Sequence, residues 1–423
     1  MSRPRGFVVV TGSELVRGDR RDANGPFLAS ELLRLGLEPA RIAIVGDDPA
    51  ELEAVIREGL EADLCLTSGG LGPTHDDRTV ELVARVAGRQ LVVDPGLEAE
   101  IEAISRSFAA RFRRPYADFA EGVRKQATVP EGAEVVGIAG TAPAFVLESG
   151  RGAVVVLPGP PPELRKLWTA ALEAAAVRTV LARAREPERR VLRFYGAGES
   201  QIAQALEESG GEGGGVTVTI CARQFEVHVD LFVDGRGGQR ADELVSGLRE
   251  RVGTYLFAED ERTVEEMVLE LCRERGLKLA TAESCTGGLV AARLTSVPGS
   301  SDVFVGAVVA YANDAKAREL GVPEETLERY GAVSPEVAAA MAAGVRERLG
   351  ADVAVSVTGI AGPGGGSAEK PVGLVDLHAE GPDGVLAREI DFPGDREAIR
   401  GRATVAALHL LRTLLTRGRD GSV

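Results

Sequence analysis

Apolar positions over about the first 170 residues alternate between two rhythms. Continuous, largely β-branched runs occupy 7–10, 42–45, 64–67 and 154–157, as in strands buried on both faces. Between them, 24–35, 50–61 and 79–86 carry apolar residues at helical spacing. Such alternation predicts a parallel, doubly wound sheet covered on both faces, with functional loops at the carboxyl ends of the strands. The texture changes near Ala175: 191–194 and 226–233 read as strands, 199–208 as a helix and 210–215 as a flexible glycine loop. After a polar junction at 260–262 the alternation restarts, with helices at 264–275, 287–294, 335–349 and 396–415 and strands at 277–282, 303–311, 353–357 and 372–378. The expected class is α/β: two α/β domains, 1–174 and 259–423, joined by a small α+β domain over 175–258. The outer domains share this grammar but no short repeat.

A chain of 423 residues exceeds one ordinary hydrophobic core, which agrees with several domains. Its net charge of −15, from 49 basic and 64 acidic residues, repels a phosphate backbone and argues against direct nucleic-acid binding. An anionic small molecule must then be held by local donors. Cys65, Cys221, Cys272 and Cys285 form no CxxC pair, so neither a disulfide framework nor a zinc site is indicated. The apolar run before Thr11 is too short for a signal-peptide core, and no stretch approaches the ~18 apolar residues of a membrane helix. We expect a cytoplasmic protein without a membrane partner, acting on small molecules, and a homodimer by base rate.

Three C-terminal segments carry candidate chemistry. Ala282-Glu283-Ser284-Cys285-Thr286-Gly287-Gly288 sits where a strand gives way to a helix. A hydroxyl there can attack a carbonyl while helix N–H groups hold the oxyanion; alternatively Ser284 or Thr286 only caps the helix. Tyr311-Ala-Asn313-Asp314-Ala-Lys316 follows the next strand. No histidine lies nearby, so a desolvated, partly neutral Lys316 is the natural base, with Tyr311 relaying the proton or positioning the substrate. The competing reading makes Lys316 a solvated helix residue, Tyr311 a core aromatic and Asn313 or Asp314 a helix cap. The third segment, 358–367, is a glycine-rich loop after a strand, able to wrap N–H groups around a phosphate or to be a plain surface loop. Arg396 and Arg400, one helical turn apart, suggest a phosphate clamp or two exposed arginines.

Jointly, segments 281–288, 311–316, 358–373 and 394–400 resemble the CinA family in order and spacing. The resemblance implies a C-terminal deamidase that hydrolyses nicotinamide mononucleotide to nicotinic acid mononucleotide and ammonia, without a cofactor. It places a Ser–Tyr–Lys arrangement on Ser284, Tyr311 and Lys316. Around them, Glu283, Thr286, Gly287, Gly288, Thr358, Gly359, Ala361, Gly362, Arg396 and Arg400 would hold the substrate. Neutral Lys316 would deprotonate Ser284, and N–H groups near 286–288 would hold the oxyanion. Cys285 is the chemical rival as nucleophile.

In the N-terminal domain, Thr11-Gly12-Ser13-Glu14 and Asn24 follow the first strand, and Gly69-Gly70-Leu71-Gly72-Pro73-Thr74-His75-Asp76-Asp77 follows the third. Glycines beside strand ends suggest a phosphate seat formed with Gly12, Glu14, Asn24, Gly69, Gly70, Gly72 and Thr74. Asp76 and Asp77 are hard ligands of the kind Mg²⁺ uses, and His75 would suit Co²⁺; alternatively the two aspartates cap the next helix. These segments, with Leu157-Pro158-Gly159 and Glu163, resemble the MoaB/MogA molybdopterin-binding fold as CinA proteins use it. That implies a metal-dependent ADP-ribose pyrophosphatase. The chain departs from the pattern in having Ser13 where an aspartate is usual and Arg20-Arg21 in place of an apolar pair. The middle segment around Tyr195-Gly-Ala-Gly198-Glu199 is similar to the family's KH-type domain but lacks the GXXG loop of RNA readers, so it is read as a spacer or dimer contact. The alternative for the whole chain is non-catalytic: a pterin- or nucleotide-binding or competence-accessory protein.

Overall fold

The computed structural model describes residues 3–185, 188–235 and 237–417. It divides into two compact units, Met1–Pro187 and Glu188–Val423. The first is built on strands β1 (Arg5–Thr11), β2 (Glu38–Val45) and β3 (Leu64–Ser68), the short pair β4 (Leu91–Val93) and β5 (Thr128–Pro130), then β6 (Glu134–Ala139), β7 (Ala142–Ser149) and β8 (Gly152–Leu157). Its six-stranded sheet runs β2-β1-β3-β8-β7-β6, while β4 and β5 pair separately. The expected all-parallel sheet is corrected here: β2, β1, β3 and β8 are parallel, but β7 and β6 return antiparallel. Two-residue turns at 140–141 and 150–151, each opened by a glycine with positive φ, force those reversals. The change of texture at 175 is no break in packing either. Helix Ala175–Leu181 places Val177 and Val180 in the first unit's core.

The second unit begins with β9 (Glu188–Phe194), β10 (Val216–Arg223), β11 (Glu226–Val233) and β12 (Leu256–Ala258), an antiparallel sheet of order β10-β11-β9-β12. Helices Glu199–Glu208 and Gly238–Val252 cover one face, where Val227, Val229, Leu231 and Val233 meet Ile202, Leu206, Leu244 and Leu248. A five-stranded sheet follows: β13 (Leu279–Glu283), β14 (Phe304–Val309), β15 (Val353–Gly359), β16 (Leu374–Gly381) and β17 (Gly384–Asp391), in the order β14-β13-β15-β16-β17. The first three are parallel and the last two antiparallel. Strand β17 is absent from the sequence reading because, as a mostly exposed edge, it shows no apolar run.

Helices Val264–Glu274, Leu289–Thr295 and Arg396–Arg417 pack on one face of this sheet, and Asn313–Leu320 and Pro335–Leu349 on the other. Helix Val264–Glu274 opens with a reciprocal capping box between Thr263 and Glu266. The middle of the closing helix Arg396–Arg417 is buried on all sides, from Ala403 to Leu411. Among the described residues, no helix is long and apolar enough to cross a membrane.

Candidate active site

Strands β14, β13 and β15 lie side by side and parallel, so the loops after Val309, Glu283 and Gly359 meet at one sheet edge. Ser284 follows β13 directly and is 7% exposed; Lys316, in the first turn of helix Asn313–Leu320, is 1% exposed. Lys316 Nζ lies 3.0 Å from Ser284 Oγ and 3.1 Å from the carbonyl oxygens of Ala310 and Tyr311. Burial pulls its ammonium below the ordinary lysine value, and the positive end of its own helix disfavours charge in the same sense. A neutral amine has two N–H donors and one lone pair. With both donors on the two carbonyls, the lone pair is left for the Ser284 hydroxyl.

The competing expectations for these residues are inverted. Lys316 is buried, and Tyr311, expected in the core, is 61% exposed. Neither Ser284 nor Thr286 caps helix Leu289–Thr295, whose N-cap is Gly288, held at φ +96 where glycine alone is comfortable. Asn313 and Asp314 lie inside their helix and do not cap it.

Several expected substrate contacts are corrected. Fully buried Glu283 accepts N–H bonds from Gly288, Val290 and Ala291 at 2.9, 3.1 and 2.8 Å, so its carboxylate organises the helix start. That engages Gly288, and the Gly287 N–H donates to the Ser284 carbonyl. Of the three expected oxyanion donors, the Thr286 N–H is turned to the Cys285 thiol. Arg400 donates to the carbonyls of Cys285 and Thr286 at 3.0 and 2.9 Å, so it clamps the nucleophile loop rather than standing free for phosphate. Arg396 donates to the Gly362 carbonyl and the Tyr311 hydroxyl, both at 2.7 Å. Tyr311 therefore meets Lys316 through its carbonyl, and its hydroxyl accepts from Arg396.

Thr358 is buried and donates to the Ala332 carbonyl, Gly359 packs against Cys285 Sγ, and Ala361 lies in the core. Cys285 is itself buried among apolar residues, and burial pushes its thiol up to about 12. It is a protonated core residue.

The sequence reading passes over Asp376. It faces Thr358 across the β15–β16 ladder, is 1% exposed, and neither carboxylate oxygen has a partner among the described residues. Burial first, then Glu389, pushes it up to about 6. The signal was a lone acid at an inward strand position, hidden by the apolar residues either side. Because its folded value lies above the unfolded one, folding binds an extra proton between about pH 4 and 6, and stability falls as pH rises through that window. Asp376→Asn, which mimics the protonated acid, should stabilise the second unit by about 1–3 kcal/mol at pH 7.5 and flatten that slope. Melting curves from pH 4 to 8 check this, and an unchanged slope in the variant contradicts it.

In the first unit, β1, β3 and β8 bring their carboxyl ends together. Buried Asn24 ties the loops by donating to Ser68 Oγ at 2.9 Å and the Gly159 carbonyl at 2.7 Å. Gly69 packs against Thr11, Gly70 against Thr79 and Gly72 against Asp77, with Gly12 beside the exposed Glu14. Asp77 is taken by the backbone and hydroxyl of Thr74, at 3.1 and 2.5 Å. Neither aspartate caps helix Thr79–Val86, whose N-cap is Arg78. Asp76 and His75 are exposed, and among the described residues no three His, Cys, Asp or Glu side chains are grouped to hold a metal ion. Mg²⁺ there would draw at most one or two carboxylates from the protein and the rest of its shell from phosphate and water. Ser13, where an aspartate is usual, draws in a carboxylate from elsewhere: its N–H and hydroxyl donate to Asp47 at 3.2 and 2.5 Å.

A family model described as the CinA C-terminal domain matches 261–415, one described as a probable molybdopterin binding domain matches 7–177, and one described as the damage-inducible protein CinA KH domain matches 189–258. A CinA-like protein of Mycolicibacterium paratuberculosis is 45% identical over 97% of this chain and 98% of its own length. Another, from Mycolicibacterium gilvum, is 46% identical over 98% and 99%. Among solved structures, the competence/damage inducible protein CihA of Agrobacterium tumefaciens is 46% identical, covers 37% of this chain and 99% of its own, and has a TM-score of 0.35. Matched end to end by such relatives and carrying the three domains in order, this chain belongs to the CinA family.

Proposed function

We propose that the second unit is an amidohydrolase that converts nicotinamide mononucleotide to nicotinic acid mononucleotide and ammonia. One observation carries the reading: the buried Lys316 Nζ, held by two carbonyls, lies 3.0 Å from the hydroxyl at the end of β13, so that in its neutral form its lone pair faces Ser284. Lys316 takes the Ser284 proton as Oγ attacks the carboxamide carbon. The resulting ammonium returns the proton to the leaving nitrogen, and ammonia departs. Water, deprotonated by the same amine, then hydrolyses the ester and restores the hydroxyl. Arg396, at the site's exposed rim, keeps guanidinium N–H donors beyond those on Gly362 and Tyr311 to meet the nucleotide phosphate. The match to the CinA C-terminal family supports the substrate class.

For the first unit we propose binding of a phosphate-bearing nucleotide such as ADP-ribose at the glycine loops after β1 and β3.

Ammonia released from nicotinamide mononucleotide by the purified chain, in step with the acid product, is the test. No release, together with tight binding of a pterin, would instead favour a non-catalytic binding protein.

A further inference from the structure

The β10–β11 hairpin closes on the pair Arg223 and Glu226, so Gln224 and Phe225 form its two-residue turn. Both have positive φ, 51° and 66°. Such turns ordinarily take Asn-Gly, and a phenylalanine held there is strained. Strain of this kind persists when the side chain is needed, which directs attention to what the ring touches. It lies on the closing helix: a Cβ added to Gly401 would stand 2.5 Å from the ring, and the Arg402 guanidinium sits 4.8 Å from its centroid. Glycine inside a helix costs stability relative to alanine, yet here it lets an aromatic ring rest on the helix backbone.

A second contact fixes the hairpin lengthwise. Glu226, 5% exposed, lies 2.7 Å from His409 Nε2 two turns further along the same helix, and Tyr195 stacks on His409 with centroids 3.8 Å apart. The β9–β12 module thus grips the closing helix at 401–402 and at 409. Immediately before Gly401 stands Arg400, whose guanidinium holds the Cys285 and Thr286 carbonyls.

We infer that the hairpin tip is a positioning element of the hydrolase site: Phe225, seated on Gly401, sets the first turns of the closing helix, and Arg400 passes that setting to the loop carrying Ser284. The middle module is then more than the spacer or dimer contact that the sequence suggested. Phe225 touches neither Ser284 nor Lys316, so it is a positioning residue, and its effect belongs in turnover rather than in substrate affinity. The inference rests on the deamidase reading for its kinetic test and on geometry alone for its structural one.

The experiment uses the full chain, with nicotinamide mononucleotide as the probe. Phe225→Ala should lower kcat by about tenfold with KM changed less than about twofold, as small misplacements of a nucleophile do. Phe225→Tyr, which keeps the ring, should restore the rate. In an Arg400→Ala background, Phe225→Ala should cost nothing further, because both act through one link. Amide hydrogen exchange across 285–292 should be faster in Phe225→Ala than in the native chain. A folded Phe225→Ala protein with native kcat, or losses that multiply in the double variant, overturns the inference. Were the native chain to release no ammonia, faster exchange in that loop would still uphold the mechanical link while the deamidase reading fell; unchanged exchange would overturn the link itself.

Discussion

Lys316→Ala is expected to lower kcat by about 10²–10⁴-fold, the range that a positioned general base supplies, with KM for nicotinamide mononucleotide changed by less than about threefold. Nζ is 3.0 Å from Ser284 Oγ, and two backbone carbonyls orient it, so an amine in its neutral form points its lone pair at the hydroxyl. Burial makes that form accessible below the ordinary lysine value. Activity needs the unprotonated amine, so kcat/KM should rise with pH and level off at a midpoint under 10.5. Lys316→Arg separates a base from a mere cation, because a guanidinium keeps its proton. It should be as slow as the alanine variant. An active arginine variant, or a flat alkaline profile, removes Lys316 from the proposed role.

The same burial has a thermodynamic signature. The unfolded chain keeps Lys316 protonated up to about 10.5, whereas the folded chain releases that proton earlier. The unfolded state therefore binds more protons in that interval, and stability climbs with pH there. Lys316→Met should remove this slope and stabilise the fold at neutral pH while abolishing turnover, the exchange of stability for activity that functional sites make.

Ser284→Ala is expected to reduce ammonia release by about 10⁴-fold or more, to the residual rate that binding and N–H donors sustain alone. The neighbouring thiol cannot take over. Cys285 is packed in the apolar core behind the loop, and burial pushes it up to about 12, leaving almost no thiolate at neutral pH. Cys285→Ala should accordingly keep turnover within about fivefold of the native chain. Mass spectrometry of a quenched reaction supplies a direct view: the acyl adduct of nicotinic acid mononucleotide should appear on the peptide containing Ser284. Its presence on Cys285, or full activity of Ser284→Ala, reverses the choice of nucleophile.

The contrast between Glu283 and Lys316 shows how far the sequence reaches. Both stood out as polar residues in glycine-rich or strand-end motifs, and both are buried. Only the folded backbone separates them: Glu283 meets three helix N–H groups and is consumed in structure, while Lys316 meets a hydroxyl. Arg400 is a similar case. One helical turn from Arg396, it looked like half of a phosphate clamp, yet the crossing of the closing helix over the nucleophile loop brings two carbonyls to it first. Asp376 went unnoticed because a lone carboxylate in a strand has no periodic signature, and Asp47 because its partner Ser13 lies 34 positions away. Their importance comes from what lies opposite in space.

Sequence alone determined the α/β class, the order of domains, most buried strands, and the candidate nucleophile and base, because strand burial and strand-end motifs are local patterns set by neighbouring residues. Tertiary structure decided the rest: the antiparallel edges of both larger sheets, the pairing of Lys316 with Ser284 across 32 positions, the recruitment of Arg400 and Glu283 into scaffolding, and the seat of Phe225 on Gly401. Those depend on which surfaces meet when strands order themselves and helices cross. No local window of the chain encodes that, since the partner groups lie tens to hundreds of residues apart and are chosen by packing.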